Sequence, residues 1–293
     1  MSLAGSRTRP TISDGIQLPT WLPRYARLLI VAVVVGVGIG HLYWSVIDWH
    51  MADAGAYWQA ALRLREGGEL YPVVTNVEAS EVYRYAPWFA WAAIPFTFLP
   101  QQVAGGIWSA ILIGASCIAI LPLVRERQYL VAAFFWPILV GISASGNVHA
   151  LLIAALVMGV ERRSGPVWIA LAASLKAVPI LLVVVYVARR EWWRAALTLF
   201  LTGVLVGPML LYDLSAYPRS AGEAGLLISW PMIYVLAVGA AVTATVLLAQ
   251  RPHRWLAAAT AVALALPRFF LYDVTLILIG AAGWNRQGSV ANR

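Results

Sequence analysis

Long apolar runs alternate with short clusters of arginine, proline, glycine or acid along this chain, a rhythm that predicts helices rather than strands. The runs Leu28 to Ile39, Ile107 to Val124 and Leu226 to Ala249 are continuous and lack the every-second-residue pattern of a membrane β-barrel. Breaks at the charged and Pro/Gly clusters leave apolar segments near 26–47, 86–99, 103–124, 129–143, 147–160, 166–188, 194–212, 226–249, 254–267 and 269–283. Several fall short of the ~20 residues that a perpendicular helix needs to cross ~30 Å of hydrocarbon. Those must tilt, thin the bilayer or stay on one side of it.

Composition turns the pattern into a fold class. Of 293 residues, 61% are hydrophobic and 12% charged, with a mean hydropathy of +0.76. Soluble domains run near ~45–50% apolar and ~25% charged, so one soluble core could not hide this much apolar surface. The expected fold is all-α, a polytopic integral membrane protein with about ten transmembrane helices; a soluble enzyme, a disordered tail and a disulfide scaffold are excluded. The single cysteine, Cys117, sits inside an apolar run, which leaves no disulfide and no cysteine metal site. No small-residue cleavage pattern follows the first run, which leads into Asp48, Trp49 and His50, so it reads as a retained helix and not a signal peptide.

The net charge of +8 does not point to nucleic acid, because the arginines sit in ones and twos at the ends of apolar runs, where they set membrane orientation. Let 86–99 lie along the outer surface, and break 166–188 into two half-length helices around Lys176 and Pro179. Then Arg7, Arg9, Arg24, Arg27, Arg125, Arg127, Arg162, Arg163, Arg189, Arg190, Arg194, Arg251, Arg254, Arg286 and Arg293 all face the cytoplasm, 15 of the 20 arginines. The expected layout is a cytoplasmic tail at 1–25, a transmembrane domain at 26–284 whose first outer loop and juxtamembrane helices occupy 48–100, and a cytoplasmic tail at 285–293. Both termini are then cytoplasmic, in a plasma (inner) membrane.

This parity sends Asp48, His50, Asp53, Arg84, Asn147, His149, Lys176, Asp213, Arg219, Arg268 and Asp273 toward the outer face. Charges at membrane depth cost ~2.5–3.5 kcal/mol each, so their gathering marks a candidate site on that face. The first outer loop carries Asp48, Asp53, Glu66, Glu69, Glu78 and Glu81 against Arg63, Arg65 and Arg84. Within it Tyr57, Ala60, Ala61 and Leu64 recur at helical spacing, which predicts a short amphipathic helix on the membrane surface, begun by Asp53 and ended by Gly67 and Gly68. By spacing alone Asp53 serves as well for a helix cap as for a reactive carboxylate. Asp48 reads as the end of the first transmembrane helix.

The run Asp53, Tyr57, Ala60, Gly67, Leu70, Tyr71, then Tyr83, Tyr85, Pro87 and Leu99-Pro100 resembles the N-terminal signature of family 87 glycosyltransferases, of the GT-C class. The resemblance continues in Gly146-Asn147-Val148-His149 opening a helix, and in Ala170 to Pro179 around Lys176, followed by an apolar run and Arg189-Arg190; Pro267-Arg268 and Tyr272-Asp273 are a weaker echo. It covers roughly Trp44 to Arg194 well and the remainder loosely. Where this chain has Gly146-Asn147-Val148-His149, the family usually shows Gly-Gln-Xaa-Asn, and the chain is shorter than most members. The resemblance implies an enzyme with its active site on the outer face, moving a sugar, most often mannose, from a polyprenyl-phosphate donor to an envelope glycolipid or glycan. It implies Asp53 as the base, and no firmly implied cofactor; a divalent-metal requirement stays open.

Inverting transfer from a lipid phosphate needs one carboxylate to take the acceptor proton and cations to hold the leaving phosphate. Lys176, the only lysine, follows a mostly apolar stretch and precedes Pro179, and it reads as a phosphate ligand or as an orientation signal at a helix end. Arg84, between Tyr83 and Tyr85, and Arg268, beside Pro267, offer guanidinium forks that match phosphate oxygens and serve equally as interfacial anchors. Tyr57, Tyr85, Asn147 and His149 are the candidate substrate contacts. His149 has no acid or histidine at metal-ligand spacing, so a hydrogen bond to sugar hydroxyls or helix capping is its expected role, and no metal ligand is assigned. Trp44, Trp49, Trp58, Trp88 and Trp91 crowd the first outer loop as belt residues. No phosphate-binding Gly-rich loop or Ser/His/Asp set is present, which argues against a soluble nucleotide sugar. The rival class is a multi-pass transporter or lipid flippase without glycosyl transfer; the long acidic, aromatic outer loop and the lack of an internal repeat favour the enzyme.

Overall fold

In a computed structural model, residues 24–47, 52–73, 82–214, 217 and 226–283 are described. Both tails and the expectations on Asp48, His50, Glu78, Glu81 and Arg219 lie outside the described residues. The elements run α1 (Arg24–Ile47), α2 (Ala52–Arg65), α3 (Pro87–Ala93), α4 (Gln101–Arg125), α5 (Tyr129–Ala144), α6 (His149–Gly159), α7 (Gly165–Leu175), α8 (Val183–Ala188), α9 (Trp192–Val206), α10 (Leu226–Ser229), α11 (Pro231–Leu247) and α12 (Arg254–Ala265). Tighter 3-10 turns cover Ile94–Phe98, Val178–Leu182, Gly207–Leu211 and Leu271–Gly283. No strand occurs among the described residues, and the chain is all-α.

Prolines set many of these boundaries. Pro87, Pro166 and Pro231 sit in the first turns of α3, α7 and α11, where a missing N–H costs nothing. Pro179 acts in the opposite sense: its ring nitrogen cannot donate to the Leu175 carbonyl, and its ring would collide with it, so α7 stops at Leu175. Lys176 follows with extended backbone (φ −136°, ψ 118°), and the chain resumes as a 3-10 turn and α8. The segment 166–188 is thus broken where the sequence places the break. The apolar run 226–249 is also interrupted, at Trp230-Pro231, and 269–283 forms a 3-10 run instead of an α-helix. Segment 86–99 becomes the seven-residue α3 and a five-residue turn laid against α2.

Two described helical stretches, Gln101–Arg125 and Trp192–Leu211, are long and apolar enough to cross a membrane; α5, α6, α7, α11, α12 and Leu271–Ala282 are apolar but shorter. The larger core joins α4, α5, α6, α7, α8 and α12 with the 271–283 run, around Leu139, Ile153, Leu156, Tyr186, Trp255 and Ile279. A second, aromatic cluster packs Tyr57 and Ala60 of α2 against Leu70, Tyr71, Tyr83, Phe89 and Val148. Ala60 and Ala61 have no exposed surface, so these small side chains allow close backbone approach on that face. Alternating helix direction gathers the arginine-bearing turns at one end, where Arg254 binds Glu161 and Arg194 donates to the Arg162 carbonyl. The opposite end holds the start of α2, the α5–α6 turn, the break at Lys176 and the start of the 271–283 run.

Candidate active site

Helix α2 begins at Ala52, which places Asp53 inside its first turn rather than at the preceding cap. A carboxylate is favoured there by the positive end of the helix dipole. Its Oδ2 accepts hydrogen bonds from Ser145 Oγ at 3.2 Å and Asn147 Nδ2 at 3.3 Å, across to the turn between α5 and α6. The backbones touch as well, with the Ala54 N–H donating to the Ser145 carbonyl at 3.3 Å. Gly146 makes this approach possible. Its φ is +84°, and a Cβ there would overlap Ala54 Cβ and lie 2.7 Å from Ala54 N. Trp108 Nε1 donates to the Gly146 carbonyl at 2.7 Å and fixes the turn from the α4 side.

Asn147, 6% exposed, uses both ends of its amide. Nδ2 holds Asp53, and Oδ1 accepts the His149 N–H at 3.0 Å, an Asx arrangement that opens α6. His149 is the first residue of α6, and its N–H closes the Asx turn of Asn147. His149 is fully buried, with Nε2 at 2.9 Å from Thr275 Oγ1 and Nδ1 at 3.3 Å from Lys176 Nζ. An ammonium can only donate, so Nδ1 is the acceptor and Nε2 carries the proton toward Thr275, whose hydroxyl donates in turn to the Tyr272 carbonyl at 2.7 Å.

Lys176 Nζ also lies 3.6 Å from Asp273 Oδ1 and 4.9 Å from the centre of the Tyr272 ring. Asp273 is buried at 2% exposure; its Oδ2 accepts the Phe270 N–H at 2.8 Å. The lysine side chain keeps 22% of its surface open, against 1% for His149 and 2% for Asp273. An anion arriving from outside this cluster meets Lys176 first.

Burial raises the Asp53 carboxyl above the usual carboxylate range; hydrogen bonds from Asn147 and Ser145 and the charges of Lys176 and Arg84 draw it partly back. Lys176 and Arg84 thus both act electrostatically on Asp53. Arg84 is held through its backbone, whose carbonyl accepts Tyr217 Oη at 2.9 Å. Arg268 lies elsewhere in the cluster, its guanidinium 4.6 Å from the centre of the Phe270 ring, which stacks on Tyr272. Tyr57 donates to Tyr85 Oη at 3.1 Å, with their rings edge to face at 5.1 Å. Burial pushes both phenols up, so they stay protonated hydrogen-bonding groups. Beside them opens an apolar pocket, walled by Ala54, Tyr57, Trp58, Phe89, Phe96 and Trp108.

Asp53, Asn147, His149 and Lys176 therefore converge, with Arg84 in electrostatic reach, while Tyr57 and Tyr85 wall the adjoining aromatic cluster. Sequence reasoning gave Ser145 and Thr275 no part and left Asp273 without a primary role. A signal existed for each: Ser145 lies in the polar island before Gly146-Asn147, and Thr275 is the only polar side chain in the apolar stretch 274–283. Among the described residues, no three His, Cys, Asp or Glu side chains come together as a metal site. Comparison with family models, curated proteins and solved structures finds no match for this chain.

Proposed function

We propose that this chain is a polytopic membrane glycosyltransferase of GT-C type, moving a hexose, with mannose the first candidate, from a polyprenyl-phosphate donor to an envelope glycolipid or glycan on the outer side of the plasma membrane. The observation that carries the reading is Asp53: a half-buried carboxylate in a helix first turn, oriented by two side chains from a distant turn and placed within the field of two cations. A general base needs such a group, accessible but with its proton affinity raised. The acceptor hydroxyl would attack the anomeric carbon while Asp53 takes its proton and the polyprenyl phosphate leaves from the opposite side. Inversion follows, so a β-linked donor yields an α product. Lys176 and Arg84 would neutralise the leaving phosphate, and the apolar cavity beside Asp53 supplies a surface for a lipid chain.

Membrane residence is supported by outward apolar side chains that water would not tolerate in such density. Leu199, Phe200 and Val204 on α9 and Met232, Val235 and Leu236 on α11 all expose more than half of their surface. The arginine-bearing turns at one end of the bundle fit a cytoplasmic orientation for that end.

The direct test presents the purified protein in membranes with radiolabelled polyprenyl-phosphomannose and a lipid extract, and compares wild type with Asp53→Asn. Transfer by wild type that is lost in the variant supports the reading; no transfer with any polyprenyl-phosphate hexose removes it. One observation favours a second reading as a transporter or flippase: a helix broken at a lysine, α7 to α8, is a device of membrane transport sites. Movement of the labelled donor across a vesicle membrane without glycosyl transfer would select that reading.

A further inference from the structure

Lys176 is held by more than the ordinary reach of one flexible side chain. Its backbone sits outside helical structure, between Leu175 and Val178, and its Nζ is met by groups from two other elements. His149 on α6 supplies an acceptor nitrogen at 3.3 Å, and Asp273 on the 271–283 run supplies Oδ1 at 3.6 Å. The face of the Tyr272 ring covers the ammonium at 4.9 Å, and Asp53 on α2 acts on it at longer range. Asp273 Oδ1 is buried and has no hydrogen-bond partner. A buried carboxylate oxygen without a partner is costly, and the nearest charge that offsets it is the Lys176 ammonium.

We propose that Asp273 is the positioning residue for Lys176, a fixed counter-ion that keeps its ammonium charged and aimed at the open side of the cluster. This deepens the reading of Lys176 as a phosphate ligand and rests on it. The arrangement divides labour between two carboxylates. Asp53 faces the Ser145–Asn147 turn and has the exposure a base requires, whereas Asp273 is spent on the lysine and on the Phe270 N–H. His149 complements Asp273 by accepting a second ammonium proton without adding charge. Lys176 thus donates to His149 and is ion-paired with Asp273 at 3.6 Å, while its partly open side faces the direction from which an anion would arrive.

The sequence supplies an unusual handle, because Lys176 is the only lysine. Expression of the full chain with lysine ¹³C-labelled at Cε places one side-chain probe there without altering its N–H bonds, and Lys176→Arg assigns its resonance. Asp273→Asn is expected to lower the titration midpoint of that probe by at least ~1 unit, the size of effect that loss of an adjacent opposite charge produces. Asp273→Glu should restore more than half of the difference. A midpoint in Asp273→Asn within about 0.3 unit of wild type overturns the proposal. Should Asp273→Asn fail to yield folded protein, Asp273→Glu decides alone: displacing the carboxylate by one methylene must move the Lys176 Cε resonance, and an unchanged spectrum overturns the proposal. Polyprenyl phosphate is then added to wild type. If the Asp273 variants shift the probe but polyprenyl phosphate does not, Asp273 keeps its role and the phosphate-ligand reading of Lys176 fails; the converse pattern removes Asp273 and leaves that reading standing.

Discussion

Asn147 Nδ2 donates to Asp53 Oδ2 at 3.3 Å across 94 positions of sequence, while the same amide's oxygen accepts the His149 N–H at the start of α6. One side chain therefore ties the carboxylate of the first loop to the helix that presents His149 to Lys176. This polar link joins the two halves of the candidate site, Asp53 with Ser145 and Lys176 with Asp273.

Asp53→Asn separates catalysis from structure. The amide keeps an acceptor oxygen for Ser145 but cannot take a proton, and general-base catalysis supplies ~10²–10⁴-fold in rate. Transfer should fall at least ~100-fold while donor binding, measured by retention of labelled donor lipid, stays near wild type. A variant active to within a few-fold of wild type would move the base to another carboxylate.

The pH dependence has a definite sign. Burial raises the Asp53 carboxyl, so the base is lost as pH falls through a value above the ordinary carboxylate one, and the acid limb of transfer should lie above about pH 4. For stability the same shift works the other way: a raised carboxyl adds stability that is full below the unfolded-state value and is lost as pH rises through the folded one. Asp53→Asn should then be at least as stable as wild type at about pH 7 and lose that advantage near about pH 4 in thermal unfolding scans. A variant clearly less stable than wild type at neutral pH would contradict this.

Lys176→Ala should weaken donor binding and turnover while the protein still extracts as a folded species. Lys176→Arg should rescue only part of the loss, because a planar fork does not replace a point charge between His149 and Asp273. Unimpaired transfer by Lys176→Ala would return this residue to the role of an orientation signal.

Gly146→Ala tests the backbone contact that brings Asp53 to the α5–α6 turn. A left-handed φ costs a side-chain-bearing residue ~1–3 kcal/mol, and the overlap with Ala54 adds to it. Thermal unfolding in detergent should drop by at least about 4 °C, and transfer should fall with it. An unchanged melting curve would mean that the turn and α2 separate freely.

Orientation can be read chemically. In a Cys117→Ala background, single cysteines at Glu78 and Arg163 should react with a membrane-impermeant thiol reagent from outside and inside respectively. Equal sidedness for both would remove the common outer face and the active-site orientation with it.

The sequence by itself determined the all-α class, the positions of most breaks and the buried face of α2. These are local properties: hydropathy fixes what a helix can cover, and proline stops a helix four residues from the carbonyl it cannot serve, as Pro179 does at Leu175. Asp53, Asn147, His149 and Lys176 were legible as candidates because polar side chains stand out against apolar runs. Only the tertiary structure decided their partners. Lys176 meets Asp273, and His149 meets Thr275, because α6, the break after α7 and the 271–283 run bring polar ends to one level of the bundle. It also decided that Asn147 holds the His149 N–H at the start of α6, and that Asp53 lies within α2 while its carboxylate serves another turn. Residues up to 126 positions apart meet in these contacts, and no local pattern carries that pairing, since every polar turn at this end offers similar donors and acceptors and only the packing of whole helices selects among them.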